Sequence, residues 1–235
     1  MNAISAVCIH GLGGTPASMA PITVALRLHG VAVESVLLPG HGGAPADLAD
    51  VGWLDWCSAV ASAIDCQTSN DESVVAIGQS LGASLALWAA GIDRRIAGVV
   101  AINPVVLASD PDVNEHLEGM LSRGLTMLPV GEPDILEPDV TEDALVELPI
   151  RSLLAMAGGV DRLGERLGEI ACPVLLVTSM QDSVTDPANS DWLAQRLPRP
   201  PQRLFLHNSG HVATLDRERD TVADAIWQWM IGLSL

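Results

Sequence analysis

The sequence predicts an α/β fold, a mostly parallel sheet flanked by helices. Three observations carry that expectation: short apolar runs rich in β-branched residues recur, helical patterns lie between most of them, and the alternation is regular except once. Strands buried on both faces of a parallel sheet need such continuous apolar runs, because helices cover each face.

In chain order, Ser5 to Ile9 is the first such run. The segment Gly11-Leu12-Gly13-Gly14-Thr15-Pro16 ends it, and a helix is expected near Pro16, since proline suits a first helical turn. Val31 to Leu38 reads as the second strand, closed by the turn Pro39-Gly40-His41-Gly42, and Trp53 to Ile64 carries a helical pattern. Ser73 to Ile77 is a compact buried strand, and Ala83 to Ala90 follows as helix. Gly98 to Ile102, Pro173 to Thr178 and Arg203 to His207 complete the strands. Helices are expected over Asp186 to Arg196 and Arg217 to Ile231.

The irregularity lies between Ile102 and Pro173, where about seventy residues replace a single crossover. A structureless loop of that length is foreign to a compact domain. The stretch contains several prolines and the apolar segments Met120 to Leu128 and Leu153 to Met156, and is expected to form a small helical cap over about residues 105–170 of one domain spanning 1–235.

Composition removes several function classes. A net charge of −17 disfavours nucleic acid and anionic membrane surfaces, which require clustered Lys and Arg. All 12 basic residues are arginine, so Schiff-base chemistry, pyridoxal phosphate attachment and a P-loop lysine are excluded. Without tyrosine there is no tyrosine base or tyrosine oxyanion donor. No uninterrupted apolar run reaches the roughly 18 residues that span a bilayer. Residues 1–26 hold no Asp, Glu, Lys or Arg, whereas a secretory leader begins with positive charge; a cytoplasmic protein is expected. Cys8, Cys57, Cys66 and Cys172 are scattered without metal-ligand spacing and are expected as buried thiols.

The chemistry concentrates in Gly78-Gln79-Ser80-Leu81-Gly82. Between a buried strand and a helix, this spacing forces a sharp turn with the serine at its tip, beside the helix N-terminus where a developing anion is favoured. A five-residue pattern is weak alone, and an ordinary serine in a tight turn is the plain alternative. An activated serine needs a base and an acid to orient it. Of the six histidines, His211 in Asn208-Ser209-Gly210-His211 follows the last strand on the same rim, while His207 ends that strand. The loop Ser179-Met180-Gln181-Asp182-Ser183-Val184-Thr185-Asp186-Pro187 offers two acids. Asp186 stands before a proline at a helix-cap position, which leaves Asp182. Two amide donors are needed for the oxyanion: Leu81 N–H, after the nucleophile, and Leu12 N–H, in the glycine loop after the first strand. His10 is expected to brace that loop by hydrogen bonding, and His41 to be structural.

Taken together, the His10-Gly11 loop, Pro39-Gly40-His41-Gly42, Gly78 to Gly82, Asp182 and Ser209-Gly210-His211 occur in the order found in the α/β-hydrolase superfamily, which the chain resembles over nearly its whole length. Within it, the segment from Ser209 to Asp216 is similar to that of small bacterial carboxylesterases and monoacylglycerol lipases with a short cap. The resemblance implies Ser80 as nucleophile, Asp182 as acid, His211 as base, and Leu12 with Leu81 as oxyanion donors. Those relatives often carry an aromatic residue at the position of Leu12; because the donor is backbone, leucine leaves it in place. The implied reaction is hydrolysis of short- to medium-chain acyl esters, including monoacylglycerols, with no metal or organic cofactor. Met120, Leu125 and Met127 are candidate acyl-pocket residues, which the plain alternative assigns to cap packing. The same triad serves thioesterases, carbon–carbon bond hydrolases and perhydrolases, and a non-catalytic ligand-binding protein on this fold is the alternative from another class. A dehalogenase is disfavoured by serine in place of aspartate. The expected partner is a small-molecule ester, without nucleic acid or stable membrane insertion; no oligomeric state is legible.

Overall fold

The computed structural model describes residues 4–68, 73–107 and 110–233. The expected domain's terminal residues and residues 108 and 109 of the expected cap lie outside this range. Six strands form one parallel sheet: β1 (Ser5–Ile9), β2 (Ala32–Val36), β3 (Val74–Gln79), β4 (Ile96–Ile102), β7 (Val174–Ser179) and β8 (Gln202–Leu206), in the order β2-β1-β3-β4-β7-β8. Every residue of β1, β3 and β7 is buried, whereas the edge strands β2 and β8 carry exposed positions. That contrast follows from apolar composition: Val-Val-Ala-Ile in β3 leaves no polar face to turn outward, while Glu34 in β2 and Arg203 in β8 tolerate an edge.

Two apolar layers enclose the sheet. On one face, Met19, α1 (Ala20–Leu28) and α7 (Arg219–Ile231) bury Ile22, Leu26, Val222, Ile226 and Trp229 against Val75, Ile77 and Val100. On the other, α2 (Trp53–Gln67), α3 (Leu81–Ala90) and α6 (Ala188–Arg196) supply Trp53, Trp56, Leu85 and Leu193 to a core that includes Val7, Ala76 and Leu176. The helix expected near Pro16 begins as a 3-10 turn, Pro16–Met19, capped by the Thr15 hydroxyl, and continues as α1.

The segment between β4 and β7 differs from the helical cap expected there. It contains α4 (Pro111–Ser122), an antiparallel ribbon of β5 (Met127–Pro129) and β6 (Glu147–Pro149), and α5 (Ile150–Gly164). No residue of α4 is buried, yet α5 buries Ile150, Ala157, Val160 and Leu163. Gly159 of α5 lies so close to Trp53 that a Cβ there would overlap the indole. Thus α5 is the crossover helix that returns the chain to the sheet, and α4, before it, stands away from the core. Three-residue strands at Met127 and Glu147 are too short for a period to register in sequence.

All four cysteines are free, but only Cys8 is buried; Cys66 is exposed at the end of α2, where its side chain faces away from the sheet-packing stripe Trp53, Trp56, Val60 and Ile64. Among the described residues, no helix is long and apolar enough to cross a membrane.

Sheet register brings the loops of the expected site together. Ile9 pairs with Gly78, Gln79 with Ile102, Ile102 with Val177, and Ser179 with Leu206. The segments that follow β1, β3, β4, β7 and β8 therefore emerge side by side at the carboxyl rim, with β1 and β3 flanking the point where strand order reverses.

Candidate active site

Ser80 occupies the turn between β3 and α3 with φ 54° and ψ −120°. A non-glycine residue in such a conformation costs on the order of 1–3 kcal/mol and persists only where its surroundings dictate it. Here the two flanking glycines dictate it. A Cβ on Gly78 would overlap the Gly82 carbonyl, and a Cβ on Gly82 would overlap the Ile9 carbonyl. With both side chains absent, α3 packs directly onto the ends of β1 and β3, and Ser80 N–H donates to Ile102 O at 2.9 Å. The serine is left half-buried at the tip.

The same turn supplies an amide. Ser80 O accepts Ala83 N at 3.0 Å and Ser84 N at 3.2 Å, so the ladder of α3 starts beyond Leu81. Leu81 N–H, at the first helical position, has no intrahelical acceptor and sits at the positive end of the helix dipole. The glycine loop after β1 lies against it: a Cβ on Gly11 would stand 3.4 Å from Ser80 Cβ and 3.9 Å from Ser80 Oγ. Leu12 is the next residue, half-buried against the core.

His10 holds that loop, as expected from the sequence. Its Nε2 accepts Leu38 N–H at 3.2 Å, which requires Nδ1 to carry the proton and donate to Gly11 O at 2.8 Å. Complete burial pushes its pKa down to about 4, so the ring is neutral at physiological pH. His41, edge-on to His10 with centroids 4.9 Å apart, donates through Nδ1 to Pro39 O at 3.0 Å, and burial lowers its pKa as well.

Asp182 and His211 meet across the rim. Asp182 Oδ2 accepts His211 Nδ1–H at 2.8 Å, with side chains 2% and 8% exposed. The second carboxylate oxygen accepts Val184 N at 2.9 Å and Thr185 N at 2.7 Å, which fixes the acid's orientation within its own loop. Asp186 instead accepts Ala188 N at 2.8 Å and starts α6. With Nδ1–H committed to Asp182, Nε2 of His211 carries the lone pair; it has no partner among the described residues and is not sealed from solvent. The His211 loop is joined to the serine strand by Thr214 Oγ1, which donates to Gln79 Oε1 at 2.6 Å inside the core. His207 is exposed just past β8 and takes part through its backbone.

Several residues of this architecture escape sequence reasoning. Asn103, with φ 45°, is buried directly after β4 and donates to Ser179 Oγ at 3.0 Å and His211 O at 2.8 Å, while its Oδ1 accepts Ser179 N at 2.8 Å. Its position at a strand's carboxyl end was the available signal. Asp216, fully buried, accepts Gly210 N at 2.7 Å, Leu136 N at 2.9 Å and Glu137 N at 2.8 Å. Glu142 Oε1 accepts Ser18 Oγ at 2.5 Å; burial raises its pKa, opposed by that hydroxyl and by nearby His211.

The candidate acyl-pocket residues are placed unevenly. Met120 and Met127 are half-buried, and Leu125 is 50% exposed between α4 and β5. It is Leu148, with Leu145, that packs against the glycine loop: a Cβ on Gly13 would stand 3.2 Å from Leu148 Cδ2. Among the described residues, no group of three or more His, Cys, Asp or Glu is arranged to hold a metal.

The chain is similar to known proteins over most of its length. Residues 6–225 match the alpha/beta hydrolase family. A thermostable monoacylglycerol lipase from Bacillus sp. (strain H-257) is 31% identical, over 94% of this chain and 88% of the relative. A carboxylesterase from Bacillus subtilis (strain 168) is 24% identical over 94% and 90% of the two chains. A solved structure from work on LipS and LipT, two metagenome-derived lipolytic enzymes, superposes with a TM-score of 0.92 at 26% identity, covering 99% of this chain and 95% of that one. By that match over residues 6–225 and the 31% identical relative, this chain belongs to the alpha/beta hydrolase family.

Proposed function

We propose that this chain is a carboxylic ester hydrolase that works through an acyl-enzyme on Ser80. The observation that carries the reading is the 2.8 Å Asp182–His211 bond, which engages Nδ1 and leaves His211 Nε2 without a partner among the described residues, on the rim where β3 presents a strained serine. In the proposed reaction His211 Nε2 takes the Ser80 proton as Oγ attacks the ester carbonyl. The amides of Leu12 and Leu81 hold the oxyanion, and the alcohol leaves with the proton from His211. Water, deprotonated by His211, then attacks the acyl-enzyme and releases the acid and the serine. Asp182 keeps the imidazole in the required tautomer and stabilises its charged form.

The relatives named monoacylglycerol lipase and carboxylesterase support an ester substrate with an acyl chain of short to medium length, monoacylglycerols included. Within the expected cap of residues 105–170, the cap proper is the part before α5, and Met120, Leu125 and Met127 on it contribute apolar surface to the acyl side. Four unpaired cysteines fit a reducing, cytoplasmic setting. Ser80→Ala tests the reading. Folded S80A is expected to lose p-nitrophenyl butyrate hydrolysis by at least about 10³-fold; an unchanged rate in the variant contradicts the mechanism.

A further inference from the structure

The coil between β5 and β6, residues 130–146, touches three of the loops that build the site. At one end Asp134 Oδ2 accepts two backbone amides, Ser183 N at 2.8 Å and His211 N at 3.0 Å. The first follows the acid directly in sequence, and the second belongs to the base itself. Asp134 O accepts Val212 N at 3.1 Å, and a Cβ on Gly210 would meet Asp134 O at 2.7 Å, so the backbones are in direct contact. Asp216 secures the neighbouring Leu136 and Glu137 amides together with Gly210 N. At the other end Leu145 N donates to Gly13 O at 2.9 Å, in the glycine loop beside Ser80.

Resting on the ester-hydrolase reading, we propose that Asp134 is a positioning residue: one carboxylate oxygen, carried on a strap from outside the sheet, pins the acid loop to the base loop and sets the Asp182–His211 distance. The acid and base loops follow different strands, β7 and β8, and are 29 residues apart in sequence. Sheet register fixes where those strands end but not how their loops lean toward one another. A carboxylate shared by two amides makes short, charge-assisted bonds that remove this freedom. Because the strap also holds Gly13, displacement of the ribbon would disturb acid, base and glycine loop together. Asp134, Leu136, Glu137 and Leu145 of the coil are thus all hydrogen-bonded to the loops of the site.

The test compares Asp134→Ala and Asp134→Asn in the full chain, with Ser80→Ala as control. Asn keeps a carbonyl oxygen at the same reach and can accept the same two amides. In D134A, kcat for p-nitrophenyl butyrate is expected to fall between about 10- and 100-fold with KM changed less than about threefold, as misplacement of a base predicts. D134N is expected to recover kcat to within about threefold of the parent. Independently of turnover, the downfield proton resonance of His211 Nδ1–H, assigned by its loss in His211→Gln, is expected to weaken or move upfield in D134A and return in D134N. If D134A does not fold, Asp134→Ser, too short to span both amides, takes its place. Parental kcat and resonance in the folded Ala or Ser variant overturn the proposal, as does equal loss of both in Ala and Asn variants. Retained hydrolysis in S80A instead overturns the acyl-enzyme mechanism on Ser80, and the resonance then still decides the role of Asp134.

Discussion

At the scale of single residues, the site depends as much on buried histidine chemistry as on the three groups assigned to the reaction. His10 resembles a candidate base in sequence, but both ring nitrogens are engaged and burial holds its pKa at about 4. In the unfolded chain it titrates near the ordinary ~6.5. Between those values the unfolded chain binds more protons, so the His10 contribution to stability is complete above ~6.5 and is lost as pH falls toward 4, by on the order of 3 kcal/mol. Glu142 acts in the opposite sense: its raised pKa means that stability is gained as it protonates on the acid side. Comparing variants isolates the histidine. The Tm of the parent is expected to drop more steeply between pH 7 and pH 4.5 than that of His10→Gln; parallel curves would contradict a buried neutral His10 bracing the glycine loop.

At the scale of elements, the junction of β1, β3 and α3 fixes where Ser80 sits. Gly78 and Gly82 are required because backbone carbonyls, not movable side chains, occupy the space a Cβ would need. Gly78→Ala must therefore separate α3 from β3 and relax the turn that forces φ 54° on Ser80. A loss of at least about 2 kcal/mol in chemical denaturation is expected, with reduced activity in the folded fraction. Unchanged stability together with unchanged activity would show that the turn is less constrained than its geometry indicates. The coil between β5 and β6 works differently, through polar contacts to loops distant in sequence. Asp134 and His211 are 77 residues apart, and Asp216 and Leu136 are 80 apart.

At the scale of the whole molecule, what is legible in sequence follows from how each part is stabilised. All six sheet strands are readable to within a few residues, because burial on both faces demands uninterrupted apolar runs such as Ser5 to Ile9 and Ser73 to Ile77. Ser80, Asp182 and His211 are nominated by simple placement at strand ends, and the register of the parallel sheet aligns the loops that carry them. Asp134, Asp216 and the Gln79–Thr214 bond are silent in sequence, since a carboxylate that accepts a distant amide looks like any exposed aspartate. The boundary between cap and core is blurred for a related reason: α5 is amphipathic and half polar, so its burial emerges only once Gly159 meets Trp53. Whether Ser80 is an activated nucleophile is answered most directly by mass spectrometry after exposure to a fluorophosphonate. One adduct per chain is predicted, located on Ser80, absent from S80A and slowed in His211→Ala. An unlabelled parent, or equal labelling of S80A, would contradict an acyl-transfer centre at this turn.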